Sequence, residues 1–145
     1  MPIWASSFND LYWSYQHGSF TDEEWDGFVA DLTRLIKDKP GGGVLTIVYS
    51  SEVPSPTQRK ALAAAVSDAP STFKHAFVTD SRFSRGVLTA LDWLMKKPYQ
   101  ERYFALPMEG INWLASELGE NPDYVRTEIV AAVPQESLWS ALIQS

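Results

Sequence analysis

The run VLTIVYS, residues 44–50, is apolar nearly throughout, and it constrains the fold more than any other stretch. A strand with one wet face alternates apolar and polar residues. A strand covered on both faces does not, and such strands belong to parallel sheets walled by helices. The next stretch, SPTQRKALAAAVSDA, opens a helix: Ser55 is placed to cap, Pro56 takes the first position and Gln58 completes a capping box. Its small alanine face suits close packing on a sheet. KHAFVTD (74–80) is the next strand, followed by a helix whose buried stripe is Phe83, Val87, Leu91 and Leu94 or Met95. RYFAL (102–106) is a further strand. Pro107 then starts a helix carrying Ile111, Leu114, Ala115 and Leu118, and Gly119 ends it. Alternation of this kind implies parallel pairing through right-handed crossovers.

Upstream, Leu11, Trp13 and Tyr15 alternate with Tyr12, Ser14 and Gln16, as in a half-buried strand, and the turn pair Asn9-Asp10 precedes them. A hairpin is predicted there. Thr21 and Glu24 make a capping box flanked by Phe20 and Trp25 at the staple positions. Trp25, Phe28, Val29, Leu32, Leu35 and Ile36 follow helical spacing, Lys37 and Lys39 favour the C-terminal end, and PGGG stops the helix. Asn121-Pro122 begins another helix, running to about Val133 before Pro134. ESLWSALIQS then carries an apolar stripe of Leu138, Trp139, Leu142 and Ile143. The expected architecture is α/β: a mixed sheet of about five strands, an N-terminal antiparallel hairpin plus three parallel strands, with helices packed on it. Residues 1–119 form that domain, and residues 120–145 are a C-terminal helical extension packed on it.

The 145 residues carry a net charge of −6, which argues against general nucleic-acid binding, since phosphate neutralisation needs clustered Lys and Arg. It equally disfavours attraction to anionic membranes. There is no Cys, which removes disulfides, thiolate catalysis and Cys-based metal sites together. MPIWASSFNDLYW lacks a basic n-region and a long apolar core, so no signal peptide is expected. No apolar run approaches the roughly 20 residues of a membrane span. A soluble cytoplasmic protein is the expectation.

Catalytic motifs are scarce. KPGGGVLTIV is glycine-rich but precedes a strand, whereas a phosphate-cradling loop follows one and opens a helix. Imidazole is available only at His17 and His75, and His75 reads as a structural histidine at the start of a strand, although a Ser-His-Asp site assembled across the fold stays open. No metal or cofactor is expected. Six Trp are spread along the chain: Trp13 and Trp25 read as core, while Trp93, Trp113 and Trp139 fall near the edges of their stripes and suit packing against the extension or a second subunit.

More informative is the face beyond the carboxyl ends of the parallel strands, where sites gather in open α/β sheets. SSEVPSPTQRK follows one strand and TDSRFSR another, which brings Ser50, Ser51, Glu52, Ser55, Thr57, Arg59, Asp80, Ser81, Arg82 and Arg85 toward one face. Hydroxyls beside free helix N–H groups suit an anion or a phosphorylated side chain. Arg82 and Arg85 oppose the helix dipole and lie on one side of their helix. Arg85, with Arg59 or Arg82, is therefore a candidate for gripping a carboxylate or phosphate through its guanidinium fork. The competing reading is that Ser55 and Ser81 only cap, while the arginines pair with Glu52 and Asp80.

At these residues the chain resembles the STAS superfamily, the anti-sigma-factor-antagonist-like fold, and its SEC14-like bacterial relatives. The likeness rests on the element order and on VLTIVYSSEVPSPTQRKAL and FVTDSRFSRGVLTALDWL, and covers roughly Phe8 to Gly119. In signalling members a serine at the start of the helix after a central strand is phosphorylated; the matching place here is SSEVPSPT, where a Pro-bounded loop replaces the family's Asp-Ser-(Ser/Thr/Gly)-Gly pattern. The resemblance implies a non-enzymatic protein-interaction module of regulatory, bacterial type. The tail stripe of Leu138, Trp139, Leu142 and Ile143 is too short to be stable alone and is expected to pack on its own domain or on a second copy, which makes a homodimer one form of partnership. A binder of a lipid-like or anionic small molecule is the runner-up, and an enzyme without a recognisable motif is third.

Overall fold

A computed structural model of the chain describes residues 3–51, 54–79 and 100–133. The predicted helix bearing Phe83 to Met95, the tail stripe from Leu138 to Ile143, and Glu52, Asp80, Ser81, Arg82 and Arg85 lie outside the described residues.

Five strands form one sheet: β1 (Ile3–Phe8), β2 (Leu11–Gly18), β3 (Gly43–Ser51), β4 (Lys74–Thr79) and β5 (Gln100–Phe104), in the order β1-β2-β3-β4-β5. β1 and β2 are antiparallel, and each later neighbour pairs in parallel. This is the predicted mixed sheet with the hairpin at its edge, and β2 adds a fourth strand to the parallel set. Phe8 pairs with Leu11 across the Asn9-Asp10 turn. Asn9 takes a left-handed φ of 51°, a conformation that Asn tolerates better than most residues.

Among the described residues the helices are α1 (Asp22–Asp38), α2 (Pro56–Val66), α3 (Pro107–Leu118) and α4 (Pro122–Ala132). The α1 capping box is formed, and the staple rings of Phe20 and Trp25 stack with centroids 5.3 Å apart. β2, β3 and β4 each step one place across the sheet in the same direction. Consecutive crossovers of one hand must then leave their helices on one face, and α1 and α2 do pack side by side there. On that side Trp25, Phe28, Leu32 and Ile36 meet Tyr12, Val44, Val66 and Phe73. α3 follows the last strand and returns over the opposite face, where Ile111 and Leu114 meet Leu45, Ile47, Ala76 and Val78, and Val125 and Ile129 of α4 join them. Each fully buried Leu or Ile contributes about 1.5–3 kcal/mol. Gly110 allows the close approach of α3, because a Cβ there would stand 2.7 Å from Val78 Cγ2. Trp113 spends its ring on its own domain, 6.0 Å from Phe104 and under the Arg102 guanidinium.

One expectation changes. β2 is not half-buried: Leu11 through Gln16 are all buried. Leu11, Trp13 and Tyr15 enter the α3/α4 core, and Tyr12, Ser14 and Gln16 face the α1/α2 layer. The alternating pattern therefore marks two different buried faces rather than a dry face and a wet one.

Candidate functional site

The β3–α2 connection stands at the carboxyl end of the parallel strands. Ser51 closes β3, and Ser55 caps α2: its Oγ accepts the Gln58 N–H at 3.1 Å, while Gln58 Oε1 accepts the Ser55 N–H at 2.8 Å. Arg59 turns back on its own loop and donates to the Pro54 carbonyl at 2.7 Å. Thr57 is exposed on the first turn. Two cross-links join this turn to the start of α1. Gln58 Nε2 donates to Asp22 Oδ1 at 2.9 Å, and the Trp25 indole N–H donates to the Gln58 carbonyl at 3.1 Å. The first turn of α1 holds Asp22, Glu23 and Glu24, so its positive dipole end is already matched by its own carboxylates. The outcome is a cross-linked rim with Thr21, Asp22, Glu23, Ser55, Pro56 and Thr57 exposed. Of the ten residues predicted toward this face, Ser50, Ser51, Ser55, Thr57 and Arg59 sit in this segment. Glu52, Asp80, Ser81, Arg82 and Arg85 belong to the residues not described.

A second constellation needs tertiary structure to exist. Thr46 on β3, His75 on β4 and Glu101 on β5 share the α1/α2 face of the sheet. His75 Nε2 lies 3.0 Å from Thr46 Oγ1, and His75 Nδ1 lies 3.1 Å from Glu101 Oε2. Register explains the alignment: His75 stands directly opposite Glu101 and Val44, with Thr46 one same-face step further along β3. In the tautomer that carries its proton on Nδ1, the imidazole donates to Glu101 and accepts from the Thr46 hydroxyl at Nε2. Hydroxyl, imidazole and carboxylate follow the order of a nucleophilic triad. Burial sets the limit on that chemistry, since Thr46 is 4% exposed in the middle of a central strand. The trio's plain effect is to tie three neighbouring strands together through side chains. Ser14, opposite Thr46 on β2, is fully buried on the same face, and its Oγ has no hydrogen-bond partner among the described residues. Gln16 and Thr79 are also buried on this face, so a polar seam runs beside the apolar cluster of the α1/α2 side. Among the described residues no cluster of three His, Cys, Asp or Glu could hold a metal.

At the other end of the sheet a groove of about 380 Å³ runs between β1 and α1, lined by Ser6, Ser7, Tyr12, Asp31, Arg34 and Lys39 among others. The Tyr12 hydroxyl donates to Asp31 Oδ2 at 3.0 Å, and Arg34 pairs with the same carboxylate. Burial, then the Asp31 charge and the hydrogen bond to it, push the Tyr12 phenol well above its ordinary range. Lys39 donates to the Asn9 carbonyl and stands 3.6 Å from Asp10.

No protein-family model matches the chain, and no curated protein matches it. Among the described residues no helix is long and apolar enough to cross a membrane.

Proposed function

We propose that this chain is a STAS-like, non-enzymatic interaction module, cytoplasmic and regulatory, that binds another protein on the rim formed by the starts of α1 and α2. The observation that carries this reading is the clamp between the two helices. Gln58 bonds Asp22, and Trp25 bonds the Gln58 carbonyl, so the exposed rim is held before any partner arrives. A preordered surface spares the ordering entropy that binding otherwise costs. Asp22 and Glu23 call for Lys or Arg on the partner, and Ser55 and Thr57 add short hydroxyls beside them.

The test is affinity capture from the native cell with wild type, a Glu23→Lys/Thr57→Arg variant, and a Ser116→Arg control on the exposed side of α3. The expected result is a protein kept by wild type and control and lost by the rim variant. Identical retention by all three overturns the reading.

A second reading, an enzyme, is favoured by the Thr46–His75–Glu101 order alone. It requires Thr46 to react with an electrophile, so covalent labelling by a fluorophosphonate that Thr46→Val abolishes would establish it. The groove between β1 and α1 has the volume of a ligand site. Its charged lining suits a polar molecule and not a lipid-like one.

A further inference from the structure

We propose that two copies of this chain join edge to edge through β1, making one continuous sheet across a two-fold axis. This inference is independent of the rim, because it uses a different surface and a different partner.

An edge strand turns alternate N–H and C=O groups outward, and soluble proteins protect such edges by shortness, charge, proline, a bulge or a cover. The far edge follows the rule. β5 is QERYF, five residues with Glu101 and Arg102 at its centre. β1 does not follow it. Its six residues, IWASSF, carry no charge, and they pair with β2 residue for residue without a shift. Ala5, Ser6 and Ser7 are exposed. Among the described residues no strand pairs with its outer side, and such an edge is open to strand addition.

Charge selects a second copy as the occupant. With −6 on each chain, two copies repel unless the surfaces that meet are locally balanced. The groove beside β1 is balanced: Asp31 and Asp38 line it together with Arg34 and Lys39. A two-fold interface presents one patch to itself, so both signs must be present for it to be self-complementary. Backbone geometry agrees. A two-fold perpendicular to the sheet makes β1 antiparallel to its copy and sets residues of one face opposite each other, which puts Ser6 against Ser6 or Ala5 against Ala5. Short uncharged side chains at the axis leave the backbones free to pair.

The test is the solution mass of the full chain by light scattering and sedimentation, with three proteins. Wild type is expected at twice the chain mass. Ser6→Lys and Ser6→Glu, each placing like charges on one face at the axis or diagonally across it, should both run at one chain mass with unchanged circular dichroism, and an equimolar mixture should recover the double mass as a heterodimer. Hydrogen exchange on wild type gives a measurement free of any variant: amides of residues 3–8 should gain protection as concentration rises. A monomeric wild type, a charged variant that stays dimeric, a mixture of folded variants that fails to pair, or exchange at β1 independent of concentration would each overturn the proposal.

Discussion

Tyr12 shows how much of a residue's behaviour is decided by what lies above it. In an alternating strand pattern it looks like a surface position, yet it is buried under α1 with its hydroxyl on Asp31. An unfolded tyrosine ionises near pH 10, to about a unit either way, whereas the folded phenol holds its proton to higher pH. Above that pH the unfolded chain has released a proton that the folded chain keeps, so the linkage disfavours folding. The contribution is complete below about pH 10 and is lost as pH rises further. Urea unfolding of wild type and Tyr12→Phe across that range should show a steeper loss in wild type; the other five tyrosines are common to both proteins and cancel in the difference. Parallel pH profiles would mean that Tyr12 titrates alike in both states. His75 makes the same point for the candidate site. Its identity and its place in a strand were readable, but its partners, Thr46 and Glu101, sit 29 and 26 residues away and meet it only through sheet register.

Helix starts are the element-scale features that local sequence describes best, because the groups to be satisfied lie within one turn of each other. The capping boxes at Thr21–Glu24 and Ser55–Gln58 form as their spacing predicts. α3 is the instructive contrast. Glu109 Oε1 accepts the Leu106 N–H at 3.3 Å, but a leucine has no oxygen to return to the helix, so half of the box is missing. Leu106 already has extended backbone and is 44% exposed, so little apolar burial would be sacrificed by replacing it. Leu106→Ser should therefore stabilise the protein by about 0.5–1 kcal/mol, seen as a higher denaturant midpoint at unchanged slope. A midpoint at or below that of wild type would show that Leu106 contributes more through packing than the cap can add.

At the scale of the molecule, the described residues form one sheet shared by two cores. Trp13 belongs to the α3/α4 side and Trp25 to the α1/α2 side, each 2% exposed. Neither face can lose its helices without exposing strands that the other face also needs, so the two cores should unfold together. Variants retaining only one of these tryptophans as the fluorescent reporter would follow each side separately. Coincident urea transitions, matched by circular dichroism, are expected. Separated midpoints would reveal two independently melting layers.

The sequence by itself determined the order of the described elements, the starts and stops of the described helices, the hairpin turn, and the parallel character of the central strands. Each of these depends on residues close together along the chain or on the period of their polarity. Tertiary structure alone decided that both faces of β2 are buried, that Arg59 is spent on Pro54, that Thr46, His75 and Glu101 meet, and that β1 keeps a free, uncharged edge among the described residues. Those outcomes depend on which strands become neighbours and in what register. A one-residue slip would carry every side chain of a strand to the other face, and no local pattern encodes the choice.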